Sequence, residues 1–428
     1  MKQRYDSYKP SSIDWIGEIP SHWTVIPVKY VLDNLDYLRQ PISAEDRERN
    51  NPQYDYYGAS GVIDQIDYYN VEDTVLLIGE DGANLVMRNL PLIYKASGKF
   101  WVNNHAHILK PQNGYDYSYL AHLLEAGDYT LFITGSAQPK LSQENLNKYP
   151  ICIPPLAEQE AIAAWLDEKC DEIDAAIAKV DREIELIDEL KQSKISRVVT
   201  RGLNPDTPLR PSGIDWIGNI PEHWKIVPIK SLGFFTKGLT FTKADLADEG
   251  KSVISYGQIH SKLNDKVGIR RELIRYIPDR ICLNNASSLT KKGDFIFADT
   301  SEDLQGCGNA VYNDTLIPLY GGYHTIILHS FSEDNKYFGY LFLTDAWRSQ
   351  IRASVSGVKV YSITQSILKN CNILVPPLSE QQAIADYLDK KCAEIDGLKE
   401  KLSMKRETLT ELRQSIISEV VTGKRKVI

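Results

Sequence analysis

Ile13-Asp14-Trp15-Ile16-Gly17-Glu18-Ile19-Pro20-Ser21-His22-Trp23 returns 201 residues later as Ile214-Asp215-Trp216-Ile217-Gly218-Asn219-Ile220-Pro221-Glu222-His223-Trp224. Repetition of this kind is read before anything else, because it decides the architecture. A second block, Pro154-Pro155-Leu156-Ala157-Glu158-Gln159 with Ile162, Leu166, Asp167, Cys170, Ile173 and Asp174, returns after 222 residues. Its copy is Pro376-Pro377-Leu378-Ser379-Glu380-Gln381 with Ile384, Leu388, Asp389, Cys392, Ile395 and Asp396. Each half is therefore an opening motif, a variable stretch and a closing block, and the second variable stretch is 21 residues longer. The variable stretches, about Thr24 to Ile153 and Lys225 to Val375, do not resemble each other closely. Both carry β-rich runs such as Val75-Leu76-Leu77-Ile78 and Thr325-Ile326-Ile327-Leu328 between Gly, Asn and Asp clusters. That pattern predicts mixed α/β domains with long loops.

The closing blocks predict long helices. In the first, Leu166, Cys170, Ile173, Ile177, Val180, Ile184 and Ile187 step by four and three, which is a heptad seam. In the second, Leu388, Ile395, Leu402, Leu409 and Ile416 hold one strict heptad position while Lys399, Arg406 and Arg413 take the alternate one. Leu398 and Leu412 stand beside those cations as candidates to fill the gap, and Gly397 weakens its turn. A helix of ~45 residues is about 65 Å long and cannot bury such a stripe alone. Pairing between chains is one solution. Pairing within the chain suits a tandem repeat better, and it sets the expected fold. This is an α+β chain of two mixed α/β domains in pseudo-two-fold tandem, joined by two long antiparallel helices that form an intramolecular coiled coil. The expected division is 1–155, 156–201, 202–377 and 378–428.

Composition narrows the function classes. An apolar share of 43% with 25% charged residues is that of a folded globular chain. The longest apolar runs fall well short of a membrane span, and Met1 to Ser12 has no apolar core of a secretory signal, so a cytoplasmic protein without membrane contact is expected. Six scattered cysteines form no metal-spaced pair and read as reduced packing residues. The net charge of −8 lies wholly in the helical blocks: 157–200 carries −6 and 379–422 carries −2. The remainder is neutral, which leaves local basic patches available to a polyanion. No G-x-x-x-x-G-K-[ST] loop is present to cradle a nucleotide. The proline pairs are followed by leucine rather than by the aromatic residue of an amino-methyltransferase motif, and Gly306-Cys307-Gly308 lacks the third glycine of a cofactor loop. A non-catalytic protein is expected.

The paired P-P-L-x-E-Q segments, the W-I-G-x-I-P-x-H-W motifs, and the runs Tyr57-Gly58-Ala59-Ser60-Gly61 and Ser136-Ala137-Gln138-Pro139-Lys140 together resemble the specificity subunits of type I restriction–modification systems. Ile254 to His260 and Ser356-Gly357-Val358-Lys359 extend the resemblance through the second half, so it covers essentially the whole chain. It implies two target-recognition domains, each reading half of an interrupted DNA site, with the helices as spacer and as docking surface. The implied partners are double-stranded DNA, two methylation subunits and restriction/translocase subunits. No cofactor belongs to this chain; S-adenosylmethionine and ATP are expected on the partner subunits only. Two other readings stay open: the specificity partner of a related two-part restriction enzyme, and a coiled-coil scaffold for proteins.

Candidate DNA-contacting residues follow from side-chain chemistry on these loops. Lys140 and Lys359 each follow a small polar run of the kind that approaches a phosphate, although solvated lysine explains them as well. Gln138 suits bidentate reading of adenine, and Ser136 and Ser356 lie in the same runs. Tyr57 and Ser60 lie on a glycine-punctuated loop, whereas Tyr56 reads as core. Ser255, Gln258 and Lys262 form the matching loop of the second half, where His260 reads as a satisfied polar residue. Glu80-Asp81-Gly82 and Ser301-Glu302-Asp303 read as turns after strands, with a second role accepting from a cytosine amino group. Asn103, Asn104, His105 and His107 have no carboxylate at ligand spacing, and the two histidines are expected on one face of a strand. Trp15, Trp23, Trp216 and Trp224 read as core anchors.

Overall fold

The computed structural model describes residues 3–47, 50–135, 139–357 and 359–427. Two compact units result, one of Met1–Arg182 with Ser403–Ile428 and the other of Glu183–Leu402. This differs from the four-part division expected above, because each long helix gives part of its length to each unit.

The first unit is built on a six-stranded sheet in the spatial order Leu32–Asn34, Ala106–Pro111, Val71–Gly79, Ile93–Val102, Tyr54–Gly58, Gly61–Ile66. All neighbours are antiparallel except Tyr54–Gly58 beside Ile93–Val102. The second unit has two four-stranded sheets. One runs Gly233–Lys237, Thr325–Ser330, Phe295–Ala298, Ala310–Tyr312, and the other Arg275–Ile277, Lys251–Ile254, Leu319–Gly321, Leu289–Thr290. Each variable stretch is closed at its ends by one short antiparallel pair: Thr24 opposes Ile153, and Lys225 opposes Val375. The limits of the variable stretches legible in the sequence thus fall at these closing strand pairs.

Both closing blocks are single helices, Leu156–Arg201 of 46 residues and Leu378–Val421 of 44. They pair antiparallel within each unit. In the first unit Asp174 meets Arg413 at 2.8 Å and Asp181 meets Arg406 at 2.6 Å. In the second, Asp188 meets Lys399 and Lys191 meets Asp396, both at 2.7 Å. A seven-residue advance on one helix matches a seven-residue retreat on the other, as a coiled coil requires. The cations that interrupt the second seam therefore face a row of aspartates. Leu398 and Leu412, expected to fill the gap, stay exposed, because the ion pairs already occupy that position. Along the apolar seam Leu166, Ile173, Val180 and Leu388 are buried, while Ile187, Ile395, Leu402, Leu409 and Ile416 are half-buried. Ile417, adjacent to Ile416, is the more deeply buried of the two. The helix continues through Gly397.

The two repeated motifs meet in each unit. In the first, the Glu158 carboxylate, itself buried, accepts from Trp23 Nε1 at 3.1 Å and pairs with His22 Nε2 at 2.8 Å. In the second, Glu380 does the same with Trp224 Nε1 at 2.9 Å and His223 Nε2 at 2.6 Å. Gln159 and Gln381 donate to the carbonyls of Pro154 and Pro376, each at 2.8 Å. Asp167 then ties the first helix to the domain through His122 at 2.8 Å and Lys95 at 3.3 Å, and Asp389 does so through Tyr340 at 2.7 Å and Lys336. Trp23 and Trp224 are buried anchors. Trp15 packs against the core edge. Trp216 is 44% exposed, contrary to expectation.

No cysteine is in a disulfide, and five of the six are buried. Burial pushes the Cys152 and Cys371 thiols up to about 12, which suits packing rather than reactivity. Among the described residues no helix is long and apolar enough to cross a membrane, and no group of His, Cys, Asp or Glu is placed to hold a metal ion.

Candidate nucleic-acid interface

At one end of the six-stranded sheet four loops converge. The Glu80 N–H donates to the His105 carbonyl at 2.8 Å, and the Glu80 carbonyl accepts from Leu141 N–H at 2.9 Å. Gly82 N–H donates to Pro139 O at 2.7 Å, and Asp81 bridges to Lys140. The Tyr57 carbonyl accepts from Asn103 N–H at 3.1 Å. A Cβ at Gly79 would stand 2.6 Å from Ala59 O, and one at Gly82 2.7 Å from Pro139 O, so these approaches need glycine. Segments 57–61, 79–82, 103–105 and 139–141 therefore form one surface.

Charge is concentrated there. Glu80 takes Arg39 Nη1 at 3.1 Å and Lys140 Nζ at 3.3 Å, and Arg39 also approaches Asp36 at 3.4 Å. Asp36 is fixed from behind. Its carboxylate pairs with His107 Nδ1 at 2.6 Å and accepts from Ile108 N–H at 2.9 Å, while His107 Nε2 reaches Leu141 O at 2.8 Å. Burial alone would raise the Asp36 carboxyl; the His107 contact, the Ile108 N–H and the Arg39 charge outweigh it and hold it below the usual range. His107 is thus a buried brace. His105 lies in the turn before the strand, beside Asp81 at 3.7 Å, so the two histidines do not share a strand face.

The second unit repeats this backbone frame. Asp299 N–H donates to His324 O at 3.1 Å, the Asp299 carbonyl accepts from Ile363 N–H at 2.7 Å, and Thr300 pairs with Ser362. The Ile254 carbonyl accepts from Gly322 N–H at 2.7 Å, as Tyr57 does from Asn103. Glu80 and Asp299 are therefore counterparts, as are His105 and His324, and the loops after Tyr57 and Ile254. Glu302 and Asp303, which the sequence sets beside Glu80 and Asp81, lie further along the chain. His324 sits in the left-handed region at φ 56°, a strain that a non-glycine residue retains where surrounding structure enforces it.

Tyr57 is half-buried with its ring edge-on to Phe100 at 5.6 Å, burial raising its hydroxyl, and Ser60 is exposed beside it. Tyr56 is in the core. Ser136 and Gln138 lie outside the described residues. Lys262, Ser356 and Lys359 are exposed, and Ser356 bridges to Ser362. Two expected solvent-facing residues turn inward. Ser255 is 1% exposed, and its N–H donates to Gln258 Oε1 at 3.1 Å. Ser301 is also 1% exposed and donates to Asp303 O at 2.6 Å. Ser301 and Gln258 build the loops from within, because tight turns consume these polar groups locally, and Ser255 is enclosed beside Gln258. His260 is satisfied by Thr300 O at 2.8 Å and by the Asn309 amide at 3.2 Å. Arg39 and Asp299 carried no local spacing signal for these places in the frame, since Glu80 and His324, which mark them, lie on distant segments.

Comparison with known proteins adds the family. Residues 20–186 and 221–404 match the family described as type I restriction modification DNA specificity domain. The chain is 25% identical over 373 residues to the putative type I restriction enzyme specificity subunit S.HindORF215P of Haemophilus influenzae, covering 85% of this chain and 86% of that one. It is 23% identical over 435 residues to the putative type I restriction enzyme MjaX specificity subunit of Methanocaldococcus jannaschii, covering 96% of each. Among solved structures, one from a study of complex assembly and conformational transition of the type I R–M system shares the fold with a TM-score of 0.64, at 14% identity over 94% of this chain and 98% of that one.

Proposed function

Because the chain belongs to the type I restriction–modification DNA specificity family, we propose that it recognises a bipartite, interrupted DNA site and docks two methylation subunits and the restriction/translocase subunits. It catalyses nothing itself; S-adenosylmethionine and ATP belong to those partners. The observation that carries this reading is the pair of loop-end surfaces built on one backbone frame but bearing different side chains. Two equal frames with unlike faces suit two unlike half-sites.

Tyr57, Ser60, Lys140, Lys262, Ser356 and Lys359 are assigned to the DNA-facing surface, with Ser136 and Gln138 on the same run as Lys140. Lys262 and Lys359 hold phosphates and set the position of their domain, while groups that reach base edges specify sequence. Ser255, Gln258 and Ser301 support those loops. The paired helices serve as spacer, so their length sets the unread gap, and the acidic surplus they carry keeps phosphates on the loop ends. The methylated adenine is flipped into a methylation subunit's site.

Mapping methylated adenines in DNA from cells that express this chain with its methylation subunit tests the proposal. A split motif with a constant gap is expected. Absence of any motif, together with equal binding of random and cognate duplex by the complex at physiological salt, refutes it.

A further inference from the structure

The two loop ends share a backbone frame yet differ at one corresponding point in whether lysine and arginine neutralise the carboxylate there. In the first unit the Glu80 carboxylate is taken by Arg39 at 3.1 Å and Lys140 at 3.3 Å. In the second unit both cations are missing from the corresponding positions. Ser362 pairs with Thr300 where Lys140 bridges to Asp81. Leu239 N–H donates to Gly321 O as Gln40 N–H donates to Val102 O, so the residue preceding is Gly238 where the first unit has Arg39. A Cβ at Gly238 would stand 2.1 Å from Gly322 O, so no side chain fits there. Asp299 is left with Thr300 Oγ1 at 2.7 Å and His324 Nδ1 at 3.2 Å. Among the described residues no lysine or arginine pairs with it. Its side chain is 34% exposed, and His324 beside it 58%.

An ionised carboxylate only accepts hydrogen bonds. In the major groove the base donors are the exocyclic amino groups of cytosine and adenine, and a phosphate offers only repulsion. Resting on the DNA-reading function above, we infer that Asp299 is a specificity-determining residue of the second domain, accepting from the amino group of a cytosine or of an adenine other than the methylated one. Thr300 and His324 hold the carboxylate in place, and the strained backbone of His324 fixes the turn. In the first domain the corresponding carboxylate, Glu80, is covered by Lys140, so a donor is presented instead. Lys140, oriented by Glu80, there faces an acceptor edge such as guanine O6 and N7.

The test compares methylation motifs in cells carrying the complete complex with the native chain, Asp299→Asn or Lys140→Met. Asp299→Asn is expected to relax one position of one half-site, cutting discrimination there at least about fivefold, with the other half-site unchanged. The relaxed position shows whether the base is cytosine or adenine. Lys140→Met is expected to alter only the other half-site. If Asp299→Asn lowers the melting temperature of the purified chain, Asp299→Glu, which keeps the charge and displaces the acceptor by one methylene, is read in the same way. Retention of every base in the motif by both Asp299 variants, or uniform loss across both half-sites, overturns the assignment. Absence of a split motif with the native chain overturns the DNA-reading function itself, so the two failures are distinct.

Discussion

Removing the Glu158 carboxylate isolates the junction between domain and helix. In Glu158→Ala the Trp23 indole N–H, buried with its ring, loses its acceptor, and His22 loses its partner. A buried donor left unpaired costs about 1–3 kcal/mol, so with the His22 contact a local destabilisation of about 2–3 kcal/mol is expected. Glu380→Ala removes the same pair in the second unit, but there the carboxylate is 38% exposed against 9% for Glu158. Water replaces the lost acceptor more readily, and the cost falls to about 1 kcal/mol. Hydrogen–deuterium exchange of peptides covering 18–27 and 219–228 measures both. Each 1.4 kcal/mol is a tenfold change, so exchange is expected to accelerate roughly 30- to 150-fold around Trp23 and about fivefold around Trp224. Equal acceleration in the two units, or none around Trp23, would refute the argument from burial.

Three further outcomes follow from the same geometry. Asp181→Arg is expected to cost at most about 1 kcal/mol, because the pair with Arg406 is nearly half exposed; adding Arg406→Asp restores urea stability, and 1 M salt narrows the difference. His329 is pulled down by burial but raised overall by the Asp294 carboxylate and the Ser287 carbonyl. Its protonated form is therefore favoured in the folded chain: the contribution is complete below the unfolded value of about 6.5 and is lost as pH rises through the raised folded value. Amide protection in Thr325–Ser330 should fall with rising pH above that point, and His329→Gln should remove the trend. Finally, a heptad inserted into both long helices, within 178–195 and its partner segment, adds about 10 Å, or about three base pairs. Methylation mapping should show a longer gap with both half-sites intact; a change in the bases read would refute the spacer role.

Periodicity and repetition are local properties, and what rests on them was legible. The paired W-I-G and P-P-L motifs, the heptads from Leu166 onward and the limits at Thr24, Ile153, Lys225 and Val375 needed no knowledge of distant contacts. Other features were settled only when distant segments were hydrogen-bonded together. Arg406 and Arg413 looked like defects in a seam until Asp181 and Asp174 were set opposite them. Ser255 and Ser301 looked like surface readers until the turns they stabilise enclosed them.

The chain by itself thus determined two similar frames with two long helices, because spacing along a polypeptide prescribes helical faces and repeats directly. Only tertiary structure decided that Glu158 and Glu380 clasp the His-Trp pairs, and that Asp299 rather than Glu302 or Asp303 corresponds to Glu80. Such correspondences depend on which backbone groups meet across hundreds of residues, and cross-strand hydrogen bonds leave no mark in local spacing.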